Sequence, residues 1–148
     1  MAKTKRLKPP TNYDFESSNL RYEFTKICRD MQRSSAWKNL SLRQRGLYLH
    51  LKSKFTVNTK TLETNKDNIS IPTSEAKTLY GDLRTFRKDI DALIEYGFIR
   101  QIISGVPRME VSIYGFFSMW QHYGTDKFYV PNNDRRYKRK TKIIKIYK

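Results

Sequence analysis

Four side chains able to recognise an anion fall within five positions of the stretch GDLRTFRKDIDALIEYGFI, residues 81–99: Arg84, Thr85, Arg87 and Lys88. A guanidinium can pair with guanine O6 and N7 at once, for roughly 1–3 kcal/mol of discrimination between bases. A hydroxyl and the first amides of a helix can hold a phosphate. Leu83, Phe86, Ile90 and Leu93 recur three or four residues apart, so the segment reads as a helix with one apolar face. The cations lie off that face. Two readings are open at this point: a surface helix with a solvated basic side, or a helix that lies in a DNA groove. Asp91, one turn further on, could accept from cytosine N4 or pair with Arg87 four residues before it, and pairing is the expectation.

The elements that would position this helix can be read around it. Residues 73–80, TSEAKTLY, suggest a short helix capped by Thr73 or Ser74, with Ala76, Leu79 and Tyr80 facing inward. Lys77 on this helix joins the cation set. Gly81 suits the left-handed position that ends a helix. Asp82 suits the N-cap of the next, with Thr85 at its third position. Two helices joined by so tight a turn, the second basic on its outer side, read as a helix-turn-helix. Asn68–Ile71 alternates as a short strand closed by Pro72. After Gly97, Phe98–Ile103 and Arg108–Tyr114 read as two strands joined through Ser104-Gly105-Val106-Pro107. A strand before and a hairpin after make the winged version of the motif. Arg108, beside the short wing tip, is either a minor-groove contact or an ordinary hairpin charge.

Further upstream, a first helix is expected from Ser18 to about Ser34-Ser35, with Leu20, Phe24, Ile27, Cys28 and Met31 on one face. That face is either intramolecular core or the seam of a homodimer. Cys28, the sole cysteine, reads as a buried, inert thiol. Ser41 and Gln44 have the spacing of a capping box. They would open a helix reaching about Phe55, with Leu47, Tyr48, Leu51 and Phe55 as its core stripe and Trp37 and Leu40 under its first turn. Gly46 within it costs about 1 kcal/mol against Ala, and a close helix crossing would explain it. Residues 56–67 read as a polar loop. Ser118 opens a short helix, SMWQHY, that carries Trp120 to the core. Residues 142–148, KIIKIYK, could be an edge strand or a helix.

Charge narrows the partner. The 148-residue chain holds 30 Lys and Arg against 14 Asp and Glu, a net charge of +16. Lys3, Lys5, Arg6 and Lys8 give residues 1–8 a charge of +4 with no acid. Residues 134–148, with Arg135, Arg136, Lys138, Arg139 and Lys140 among eight cations, carry +7. The 125 residues between carry only +5. Two basic arms on a mildly basic body suit a polyanion, with nucleic acid ahead of an anionic membrane surface. No apolar run approaches the roughly 18 residues that span a bilayer. The first ten residues lack the apolar core of a secretory signal, and a lone cysteine that can form no internal disulfide fits the expected cytoplasmic location.

LYGDLRTFRKDIDALIEYGFI resembles the recognition segment of bacterial winged helix-turn-helix proteins, with Thr85, Ile90, Leu93, Gly97, Phe98 and Ile99 at matching positions. Together with AWKNLSLRQRGLYLHLKSKF upstream and SIYGFFSMWQHYG downstream, it is similar to a subgroup encoded on plasmids and integrative elements of Gram-positive bacteria. That subgroup includes small replication proteins and accessory proteins that bind the transfer origin. The resemblance spans residues 18–125. Gly81-Asp82-Leu83 departs from the Gly-Ile-Ser-like turn common in the family. The resemblance implies an accessory factor or regulator at a replication or conjugative-transfer origin, working beside a relaxase or replication protein.

Catalysis finds little in the sequence. His50 and His122 are the only histidines and read as structural. One cysteine and two distant histidines make no zinc set. No GxxxxGK[ST] loop is present, and the histidine pair of a His-hydrophobic-His endonuclease is missing. The expectation is a binding protein and not an enzyme, with no metal or cofactor. Its fold is α+β and mainly helical: a winged helix-turn-helix over residues 18–125, a basic N-terminal arm over 1–17 and a basic C-terminal tail over 126–148. Its expected partner is double-stranded DNA, bound by Arg84, Thr85, Arg87, Lys88, Lys77 and Arg108, by Lys5 and Arg6 of the first arm and by Arg135, Arg136, Lys138, Arg139 and Lys140 of the tail. Two other readings use the same charges: an RNA- or ribosome-associated binder, and a winged-helix scaffold that docks a protein.

Overall fold

The computed structural model describes residues 25–103 and 111–130. Lys5, Arg6, Arg108, Arg135, Arg136, Lys138, Arg139 and Lys140 lie outside the described residues, as do the hairpin turn, the start of the expected first helix and residues 142–148.

The described chain is α+β, with five helices and a three-stranded antiparallel sheet. α1 (Arg29–Arg33) and α2 (Ser35–Asn39) are single turns divided by Ser34, whose backbone is extended at φ −61° and ψ 148°. Residues 25–28 are not helical, which corrects the expected continuous helix through Ile27 and Cys28. The physical reason at its C-terminal end is local: the Ser34 hydroxyl donates to the Met31 carbonyl at 2.6 Å and accepts from the Trp37 amide at 3.1 Å. Such side-chain bonds compete with helix continuation. Cys28, extended at the start of α1, is exposed and free, against the expectation of burial. Ile27 and Met31 still reach the core.

α3 (Leu42–Ser53) begins on the expected capping box. The Gln44 amide donates to Ser41 Oγ at 3.3 Å, and the Ser41 amide donates to Gln44 Oε1 at 2.8 Å. Leu47, Tyr48 and Leu51 are buried, with Trp37 and Leu40 beneath them. Gly46 faces open space, so no close crossing accounts for it. The following loop is tied by Asn65, which donates to the Lys54 carbonyl and accepts from the Thr56 amide, both at 2.8 Å.

The sheet runs β1 (Ile69–Ser70), β3 (Ile113–Phe116), β2 (Ile99–Ile103) across its width. Ile69 and Gln101 both pair with Tyr114, and Ile99 pairs with Phe116. The second hairpin strand was expected over Arg108–Tyr114; residues 108–110 of that span lie outside the described residues, Val111 and Ser112 are not in a strand, and β3 continues past Tyr114 to Phe116. Within β3, Gly115 stands opposite Arg100, and a Cβ there would overlap the Asp67 carboxylate and crowd Ile102. A strand interior takes glycine where another group approaches this closely.

α4 (Thr73–Tyr80) buries Ala76 and half-buries Tyr80, one turn apart, against α5 (Leu83–Glu95). Leu79 lies to the side of that stripe and is exposed, a correction to its expected inward position. Pro72, not Thr73 or Ser74, holds the N-cap of α4, with no side-chain cap. A 3₁₀ turn over Met119–His122 closes the described body. Its Trp120 stacks on Phe98 at 6.0 Å between ring centroids, and Trp37 and Tyr48 meet the same ring edge-on at 5.7 and 5.4 Å. Phe98, fully buried, thus joins α2, α3 and the 3₁₀ turn at the point where α5 gives way to β2.

Candidate nucleic-acid interface

The turn between α4 and α5 is made by two residues. Gly81 has φ +69°, a backbone open to glycine without strain, and its amide returns to the Lys77 carbonyl at 2.7 Å. Asp82 then caps α5. Its carboxylate accepts the Arg84 amide at 2.9 Å, the Thr85 amide at 3.1 Å and the Thr85 hydroxyl at 2.8 Å. These bonds, led by that from the Arg84 amide, hold the Asp82 carboxyl below its ordinary pKa. The chain therefore reverses direction in a fixed geometry, and the donors of Thr85 are already given to Asp82.

α5 buries Phe86, Asp89, Ile90, Leu93 and Ile94. At 100° per residue, Arg84 and Lys88 then fall together on the opposite side and Arg87 on its margin, and all three are exposed. Lys77 is exposed in the last turn of α4. None of these four cations enters a salt bridge among the described residues. The expected Arg87–Asp91 ion pair is likewise not among those bridges. By contrast, Arg43, Lys54 and Arg100 each have a carboxylate partner. The structure brings Arg84, Arg87 and Lys88 together in the first half of one helix, with Lys77 on the helix before it.

A second charged group holds α5 in place, and the sequence reading passed over it. Asp89 is 1% exposed and accepts from Arg43 Nε and Nη2 at 2.5 and 3.1 Å and from Gln44 Nε2 at 3.4 Å. Burial by itself would raise its pKa, but the hydrogen bonds led by Arg43 prevail and hold it below the ordinary carboxylate range. The Arg43 guanidinium also lies over the Tyr80 ring, 6.0 Å from its centroid. One signal was present in the sequence: Asp89 stands three residues after Phe86 and four before Leu93, an acid beside an apolar stripe where acids are rarely buried unpaired.

His50 belongs to a structural cluster. Its Nε2 lies 2.6 Å from Glu75 Oε1, and Lys54 Nζ donates to Glu75 Oε2 at 2.6 Å and to the Ser70 carbonyl at 3.0 Å. Burial would raise the Glu75 carboxyl, yet the bonds from Lys54 and His50 keep it lowered. The cluster ties α3 to the first turn of α4 and to β1. His122 sits in the 3₁₀ turn. Among the described residues no helix is long and apolar enough to cross a membrane, and no three His, Cys, Asp or Glu side chains are grouped to hold a metal ion.

Comparison of the chain with protein-family models, with curated proteins and with solved structures found no match.

Proposed function

We propose that this chain binds double-stranded DNA as a winged helix-turn-helix. α4 and α5 would form the helix-turn-helix, β2 and β3 the wing, and the early part of α5 would enter the major groove. The observation that carries the reading is the state of Arg84, Arg87 and Lys88: exposed, outside every salt bridge among the described residues, and grouped on the first half of a capped, buried-backed helix. Residues near the N-terminus of such a helix are those that reach base edges. Arg84 and Arg87 would read bases, while Lys88 and Lys77 would hold phosphates. Thr85 would act by fixing the turn through Asp82 rather than by touching DNA. The basic arms would add phosphate contacts that carry no sequence information. The resemblance over residues 18–125 extends the proposal to a process: service at a replication or transfer origin of a mobile element, where a relaxase or replication protein does the cutting.

With about six phosphates neutralised, affinity for a duplex should fall roughly a thousandfold between 50 and 200 mM salt. Fragments of the native replicon selected by binding, then footprinted, give the site and its symmetry. On that site Arg84→Ala and Arg87→Ala should erode preference among sequences, and removal of residues 135–148 should weaken all sequences alike. Equal losses from both kinds of change would refute groove readout. Tighter binding to A-form RNA than to any DNA duplex would replace the reading with the RNA one.

A further inference from the structure

Arg43 and Asp89 help to hold α5, but stability alone does not account for the choice of a charged pair there. Asp89 is a carboxylate held almost wholly out of water on α5, a position where an apolar residue of similar volume is often as stabilising or more so. The pair does accomplish something geometric. A guanidinium has five N–H donors in a rigid fork. Asp89 takes the edge formed by Nε and one Nη2 hydrogen, and the ring of Tyr80 lies against the group. Tyr80 interacts with the same guanidinium, no carboxylate meets its Nη1 end among the described residues, and the Arg43 side chain is 59% exposed. The fork is therefore held in one orientation by a buried acid, with more than half of the side chain at the surface. Asp89 lies one helical turn after Thr85, at the edge of the buried face of α5 and about 100° around the helix from Lys88, so this oriented cation meets the surface along the Thr85 margin of α5.

We infer that Arg43 is a backbone-phosphate clamp, oriented by Asp89, that grips the duplex beside the groove entered by α5. The ligand is a phosphodiester oxygen, for which a planar guanidinium with two aligned donors is better matched than an ammonium. Asp89 is a positioning residue here and touches no DNA. The inference rests on the duplex-binding reading and adds to it a contact from α3, outside the helix-turn-helix.

The test compares the full chain with the double variant Arg43→Gln/Asp89→Asn, which leaves net charge unchanged and gives two neutral groups able to hydrogen-bond each other. Fluorescence anisotropy on one duplex between 50 and 200 mM salt yields the slope of log affinity against log salt. Loss of one phosphate contact should reduce that slope by about 0.9, so that the affinity gap between the two proteins closes about 3.5-fold across the range. Asp89→Asn alone should keep the slope, because the cation remains, while weakening binding at every salt concentration. An unchanged slope in the double variant overturns the inference and leaves the duplex reading standing. Absence of duplex binding by the wild-type chain overturns both. The same answer comes from the unaltered protein if a substitution impairs folding: Arg43 should be protected from a dicarbonyl reagent by duplex, as read by peptide mass spectrometry, and full reactivity in the complex overturns the clamp.

Discussion

Alanine in place of Gly97 and alanine in place of Gly46 are the same chemical change with opposite expected signs. Gly97 ends α5 with φ +79°, and a Cβ there would lie 2.7 Å from the Trp120 amide nitrogen and 2.8 Å from the carbonyl carbon and the Cβ of Met119. None of those atoms is the far end of a flexible side chain, so the 3₁₀ turn itself must shift. The left-handed backbone costs an L-residue roughly 1–2 kcal/mol. Forcing a methyl into a packed contact costs roughly another 1–3 kcal/mol. A loss of about 2–5 kcal/mol is expected, a large share of the roughly 5–15 kcal/mol that holds a domain together. For a domain near 100 residues each kcal/mol moves Tm by about 4–8 °C, so Tm should drop by about 10 °C or more. Gly46 is exposed within α3 with no atom within 4 Å of a would-be Cβ. There alanine should add about 1 kcal/mol through helix propensity and raise Tm by several degrees. Thermal unfolding followed by far-UV circular dichroism reads both, and the near-UV tryptophan signal, to which Trp37 and Trp120 both contribute, shows whether the packing around Phe98 has changed. A Gly97→Ala protein with wild-type Tm and an unchanged near-UV spectrum would refute the close docking of that turn on the end of α5.

Acid should unfold the chain through identifiable carboxylates. The folded-state pKa values of Asp82, Asp89 and Glu75 all lie below their ordinary values. Their stabilisation is thus present above the unfolded-state pKa of about 4 and is lost as pH falls through the lower folded values. Urea midpoints should fall steadily below that pH, and Asp89→Asn should flatten the fall; an equally steep acid limb in that variant would refute the assignment. Arg84→Ala and Arg87→Ala should leave Tm unchanged while weakening duplex binding, since both side chains are exposed and outside the salt bridges of the described residues; a marked loss of Tm would show that they hold the fold instead. Cys28 should react with a thiol reagent in the native protein at a rate close to that of a free thiol. Modification only after denaturant is added would contradict its exposure.

The signals that could be read from the sequence were those set by neighbours along the chain. Ser41 and Gln44 make a capping box because three residues of helix bring them together, whatever lies beyond. Gly81 and Asp82 turn the chain between α4 and α5 by backbone freedom at one residue and a side-chain cap at the next. The apolar spacing of Phe86, Ile90 and Leu93 decided which side of α5 is buried, and hence that Arg84, Arg87 and Lys88 are exposed. Tertiary contact decided the rest. The apolar spacing that joins Ile27 to Met31 did not decide whether both are helical: both reach the core, and only Met31 lies in α1. Gly115 cannot carry a side chain because Asp67, distant in sequence, lies against it. Asp89 meets Arg43 across 46 residues of sequence, a pairing that no local spacing encodes. Gly46 and Gly97 make the division plain: both are glycines at or within a helix, and only the segment folded over Gly97 makes its missing side chain necessary. A side chain's own propensities act within a few residues, whereas a close approach exists only once distant segments share a core.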